Sequence, residues 1–150
     1  MSLKQGDPIP EFSLENHKGK VFQSAEIHNG KPVVIFFYPK NFTPGCTAEA
    51  CSFRDNYRDF EDAGAVVLGI SSDSQASHQR FTEKYNLPYT LLADTQGKVR
   101  KQFGVKGELL GLIPGRETFV FDNKGKLLLR FNSLKASGHI KKALKAVKSI

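Results

Sequence analysis

The 150-residue chain has no tryptophan, one methionine and only two cysteines, Cys46 and Cys51. Two cysteines are too few for the disulfide framework of a small secreted scaffold, and they supply half of a tetrahedral zinc site at most. His17, His28, His78 and His139 are scattered, and none stands at metal-ligand spacing from a cysteine, so neither a metal nor any other cofactor is expected. No apolar run approaches the ~18 residues that a membrane span needs. The opening MSLKQGDPIPEF has neither the apolar core of a secretion signal nor the Arg- and Ser-rich character of a transit peptide, which leads to the expectation of a cytoplasmic protein, with a plastid or other organelle location after processing as the open alternative. A phosphate-binding Gly-Lys-Ser/Thr loop, a nucleophile elbow, internal repeats and long linkers are also missing. Gly107, Gly111 and Gly115 recur every fourth residue, but with Pro114 beside them and no apolar 20-mer around them they mark a loop.

What is present suits one domain over residues 1–150, long enough to bury a core without staples. The formal net charge of +7 would attract nucleic acid if it were focused. It is dispersed. Lys141, Lys142, Lys145 and Lys148 interleave with Ile140, Leu144, Val147 and Ile150 at helical spacing, the pattern of a C-terminal helix that docks its apolar face and leaves its lysines in water.

Apolar β-rich runs alternate with helical patterns, which predicts a layered α/β domain around a buried sheet. VVIFFY, Val33 to Tyr38, reads as a central strand, and Val66 to Ile70 as a second. A helix from about Pro44 to Ala63 joins them. Ser74 to Tyr85 is the next helix, followed by a short strand at Leu91–Ala93 and a short helix at Gly97–Phe103. Thr118–Phe121 and Leu127–Phe131 flank Asp122-Asn123-Lys124-Gly125, a hairpin turn. A small hairpin at Glu11–Phe22, turning at Asn16–Gly19, precedes the core, and the tail helix starts near Gly138.

The chemistry concentrates in YPKNFTPGCTAEAC. Thr43 reads as a helix N-cap and Pro44 as the first helical residue, so Cys46 falls in the first turn. Unpaired backbone N–H groups and the positive end of the helix dipole favour the thiolate there. The competing reading is a small buried hydrophobe. Cys51 lies five residues on, where an ideal helix separates Cα atoms by roughly 8.7 Å. A disulfide needs about 7 Å or less. The pair is therefore either two unrelated buried thiols or a bond that forms by unwinding the helix.

Pro39, Thr43 and Cys46 reproduce the Pro-x-x-x-Thr-x-x-Cys signature of peroxiredoxins, and with Cys51 the string FFYPKNFTPGCTAEAC resembles the Q-type, or bacterioferritin comigratory protein, subfamily. The resemblance continues through GISSDS, YNLPYTLLAD and PGRETFVFDNKGKL, where Arg116 matches the second active-site arginine of that family. It implies a thioredoxin-like fold, with a central mixed sheet flanked by helices and an N-terminal β-hairpin extension. It also implies a thiol peroxidase acting in antioxidant defence. Cys46 would be the peroxidatic cysteine and Cys51 the resolving cysteine of an intramolecular disulfide. Thr43, the Cys46 amide and Arg116 would bind and polarise a hydroperoxide, and Pro39 would shield the thiolate. Glu49, one turn after Cys46, would either orient Arg116 or sit as a solvated helix carboxylate. Phe42 would be either an apolar lip at the peroxide entrance or an edge residue of the core. Thioredoxin, or another dithiol protein, is the implied reductant, and the resemblance favours a monomer with no nucleic-acid or membrane partner. Two rivals stand beside it: a disulfide sensor without turnover, and a nucleic-acid-binding protein supported by charge alone.

Overall fold

The computed structural model describes residues 3–27, 30–105, 116–132 and 137–150. His28 and the loop read at Gly107, Gly111 and Gly115 lie outside them. Among the described residues seven strands form one mixed sheet: β1 (Ser13–Asn16), β2 (Val21–Gln23), β3 (Val33–Phe37), β4 (Val66–Ser71), β5 (Thr90–Ala93), β6 (Glu117–Phe121) and β7 (Leu127–Asn132). Their spatial order is β2-β1-β5-β4-β3-β6-β7. The three inner strands β3, β4 and β5 run parallel, and the remaining pairings are antiparallel. The α-helices among the described residues are α1 (Pro44–Asp55), α2 (Tyr57–Asp62), α3 (Gln75–Tyr85), α4 (Lys98–Phe103) and α5 (Ser137–Lys148).

β3 reads as an unbroken apolar run because both of its faces are covered. Val34, Phe36 and Tyr38 point into one core with Cys46, Ala50 and Phe53 of α1, Phe60 of α2, Phe81 of α3 and Ile140, Ala143 and Val147 of α5. Val33, Ile35 and Phe37 point into a second core with Val99 and Phe103 of α4. Gly69 of β4 is required by this packing, since a Cβ there would lie 2.7 Å from Leu91 and 2.8 Å from Phe36.

One expectation changes. The single helix from Pro44 to Ala63 is two, because Asn56 leaves helical geometry at φ −104° and ψ 8° and turns its side-chain amide back to the Ser52 carbonyl at 2.8 Å. The N-terminal hairpin forms as read and extends the edge of the main sheet, since β1 pairs with β5 through Glu15–Ala93 and Asn16–Leu92. The hairpin at 122–125 turns as read, with Gly125 at φ 77° and the Asp122 carboxylate accepting the Lys124 and Lys126 amides. No helix among the described residues is long and apolar enough to cross a membrane.

Candidate active site

The parallel β3–β4 pair places the start of α1 at the carboxyl end of the sheet, where α/β folds gather their functional groups. Thr43 occupies the N-cap in extended geometry and Pro44 opens α1. The first intrahelical bond runs from the Thr47 amide to the Thr43 carbonyl at 2.8 Å, so the Gly45 and Cys46 amides precede the helical ladder. The Thr43 hydroxyl does not cap the helix. It donates to the Lys40 carbonyl at 2.7 Å, which commits its hydrogen and leaves its oxygen as an acceptor. Cys46 is a free thiol, 2 % exposed.

Arg116 reaches this thiol through sheet register. β6 runs antiparallel to β3 with Glu117 opposite Phe37, so the residue ahead of β6 arrives at the carboxyl end of β3. One guanidinium nitrogen, Nη1, donates to Glu49 Oε1 at 2.5 Å, and the other, Nη2, to Cys46 Sγ at 3.2 Å. Glu49 is fully buried, which overturns the solvated alternative for it. Gly45 makes room for the arginine, because a Cβ at that position would stand 3.3 Å from Nη2. Burial pushes the Glu49 carboxyl up to about 7 against the opposing pull of Arg116. For Arg116, burial works against the charge, but Glu49 and Cys46 outweigh it and hold the guanidinium protonated. The cluster is therefore a fixed cation aimed at a buried sulfur.

The loop between β3 and α1 rests on polar groups that the sequence did not single out. Asn41 is buried. Its amide donates to the Asp73 carboxylate at 2.9 Å, its side-chain oxygen accepts from the Tyr38 hydroxyl at 2.6 Å, and its Nδ2 lies 3.0 Å from His78 Nδ1. The Ser71 hydroxyl donates to the same Asp73 carboxylate at 2.6 Å. Burial pushes the His78 imidazole down to about 4. From the opposite side, Arg100 donates to the Tyr38 carbonyl at 3.0 Å. Phe42 takes a left-handed conformation at φ 66°, a strained choice for an aromatic residue. Its ring rests edge-on against Phe81 at 5.0 Å while 45 % of the residue stays exposed, so Phe42 is an exposed apolar edge pinned to α3. The only sequence trace of this network was the polar run SSDS followed by His78 inside the next helix.

Cys51 is half-buried on α1 and also free. Burial raises its thiol above the ordinary value, against the pull of Arg54. Both cysteines sit within the continuous helix Pro44–Asp55, so the ideal-helix separation of roughly 8.7 Å applies to them. The Ala50 carbonyl between them accepts the buried Tyr89 hydroxyl at 2.7 Å.

A thioredoxin-like sheet carrying a buried first-turn thiol, with an arginine bonded to its sulfur, defines a thiol-dependent peroxidase. Residues 5–130 match the AhpC/TSA family. The chain is 45 % identical over 149 residues to a chloroplastic peroxiredoxin Q of Populus jackii, covering 99 % of this chain and 70 % of that protein. It is 48 % identical over 148 residues to chloroplastic peroxiredoxin Q of Arabidopsis thaliana, covering 98 % and 68 %. The crystal structure of the peroxidoxin BcpB of Mycobacterium tuberculosis superposes with a TM-score of 0.90 at 40 % identity, over 99 % of this chain and 98 % of that one. The bacterioferritin comigratory protein of Xanthomonas campestris, described for its alkyl peroxide reduction activity, superposes at 0.83 and 31 % identity, over 92 % and 90 %. The chain belongs to the AhpC/TSA family, as a peroxiredoxin of the Q type.

Proposed function

We propose that this single domain reduces hydrogen peroxide and organic hydroperoxides through Cys46 and resolves the product with Cys51. The observation that carries the assignment is the 3.2 Å contact from Arg116 Nη2 to Cys46 Sγ, inside a site that buries the sulfur. The Cys46 thiolate attacks the terminal oxygen of the hydroperoxide. An S–O bond forms as the O–O bond breaks, leaving Cys46 as a sulfenic acid and releasing an alkoxide or hydroxide that takes up a proton. Negative charge moves from sulfur onto the departing oxygen, so the useful interactions are those that strengthen along that path. In this reading Arg116 and the Cys46 amide receive that charge, and the Thr43 oxygen accepts the O–H of the incoming peroxide. Glu49 fixes the other arm of Arg116. Pro39, half-buried at the start of the loop, shields the thiolate from water.

Cys51 stays protonated while α1 is intact and becomes a nucleophile as the helix opens. Its thiolate then attacks the Cys46 sulfenic sulfur, displacing hydroxide and forming the Cys46–Cys51 disulfide. A dithiol protein such as thioredoxin reduces that bond, which calls for a reducing compartment such as the cytoplasm. The protein works as a monomer in antioxidant defence. A thioredoxin-coupled assay with hydrogen peroxide and an alkyl hydroperoxide tests the proposal: wild type should sustain turnover and Cys46→Ser should not. One oxidation equivalent without turnover would favour a disulfide sensor instead.

A further inference from the structure

The far side of Glu49 is occupied by a residue of the C-terminal helix. Glu49 Oε1 is taken by Arg116, while Oε2, equally buried, has no hydrogen bond among the described residues. His139 of α5 is fully buried, and its Nδ1 stands 3.5 Å from Glu49 Oε2 and 2.7 Å from the Thr118 hydroxyl of β6. The Phe131 ring of β7 closes on the imidazole edge-on at 4.8 Å and limits its rotation. We propose that His139 is a positioning residue for the peroxide site: its Nδ1 edge, anchored on the Thr118 hydroxyl, stands beside the second oxygen of Glu49, favours the ionised, Arg116-binding form of that carboxylate by electrostatic attraction, and so keeps Arg116 aimed at Cys46.

The Nδ1–H tautomer is assigned on charge. A carboxylate oxygen 3.5 Å from a bare imidazole lone pair would be repelled, whereas a hydrogen on Nδ1, shared with the Thr118 oxygen, makes the approach attractive. Without it, a carboxyl buried among apolar groups drifts toward its neutral form and loses its charge-based hold on the arginine. The other ionisable groups facing Glu49 are Cys46 on its own helix, Arg116 ahead of β6, and the buried phenols of Tyr38 and Tyr89, whose titration is pushed upward chiefly by burial. Both phenol hydrogens are committed elsewhere, Tyr38 to Asn41 Oδ1 at 2.6 Å and Tyr89 to the Ala50 carbonyl at 2.7 Å, so neither donates to Oε2. In this arrangement α5 belongs to the active site through Glu49.

This inference rests on the peroxidase reading, and the two fail separately. The chain has no tryptophan to report oxidation, so the rate of Cys46 oxidation is followed by rapid quenching and mass spectrometry across pH. His139→Phe keeps a ring and deletes the polar edge beside Glu49, and should slow oxidation about ten-fold, the equivalent of a shift of about one pKa unit in the carboxylate. It should also move the acid limb of the rate profile upward by about one pH unit. His139→Asn, which can place an N–H near the Nδ1 position, should recover most of the rate and return the limb. An unchanged rate and limb in His139→Phe, or an equal loss in both variants with no shift of the limb, would overturn the proposal and leave His139 as core. Ring-nitrogen NMR of histidine-labelled wild type tests it even if His139→Phe does not fold: hydrogen on Nδ1 is expected above neutral pH, and a bare Nδ1 overturns the proposal. A wild-type protein without peroxidase activity would instead defeat the underlying functional reading.

Discussion

Replacing Tyr89 with phenylalanine should accelerate closure of the Cys46–Cys51 disulfide. Tyr89 is buried, with its ring against Phe36 at 5.7 Å, Tyr57 at 6.2 Å and Phe53 at 6.5 Å, so the substitution keeps the packing and removes one hydroxyl. That hydroxyl donates to the Ala50 carbonyl at 2.7 Å, inside the segment that has to unwind because a five-residue helical step of roughly 8.7 Å exceeds the reach of a disulfide. A buried hydrogen bond contributes about 1 kcal/mol net, so its loss should raise the population of the opened helix roughly five-fold. If opening precedes sulfur–sulfur attack, disulfide formation speeds up by the same factor, and correspondingly more peroxide is needed to divert the sulfenic acid to sulfinic acid. The assay is one equivalent of peroxide, acid quench at timed intervals, alkylation of free thiols and mass spectrometry. Closure in Tyr89→Phe at or below the wild-type rate would refute the idea that the Ala50 carbonyl must leave its partner for the helix to open.

Three further outcomes are expected. Arg116→Lys keeps a charge but cannot bridge Glu49 and Cys46 at once, and should lower the rate constant for Cys46 oxidation by about ten- to a thousand-fold in a single-turnover measurement. Cys51→Ser should oxidise at the wild-type rate yet stall in the thioredoxin-coupled assay, with sulfinic acid accumulating at high peroxide. His78, held neutral down to about 4, takes up its proton near 6.5 once the chain unfolds; the stability tied to the neutral ring is therefore complete above about pH 6.5 and is lost as pH falls toward 4. Over that window the loss is on the order of 3 kcal/mol, visible as a steeper acid decline in urea unfolding of wild type than of His78→Gln.

The elements were legible where one cause dominates. VVIFFY is apolar throughout because both faces of β3 are covered, and the strand–helix–strand alternation led directly to the parallel β3–β4 pair. The break at Asn56 was not legible, since a helix-breaking side-chain bond to the Ser52 carbonyl leaves the apolar periodicity undisturbed. In the site, Cys46, Thr43 and Pro44 announced themselves by local spacing at a helix start. Arg116 carries no local signal and came only through family resemblance; the β3–β6 register is what delivers it. Asn41, Asp73, His78 and His139 were unreadable for the same reason, as their partners lie on other elements and depend on which edges of the sheet meet. Thr43 is the N-cap residue as read, while its hydroxyl bonds the Lys40 carbonyl in the loop, a partner that the N-cap position alone does not specify.

The most direct test of the central claim is the fate of one peroxide oxygen. Reduced Cys51→Ser protein mixed with one equivalent of hydrogen peroxide should gain a single oxygen, map it by digestion to Cys46, and lose it to a sulfenic-acid trap. Peroxide consumed with Cys46 unmodified, or the oxygen carried by another residue, would contradict the assignment of Cys46 as the nucleophile.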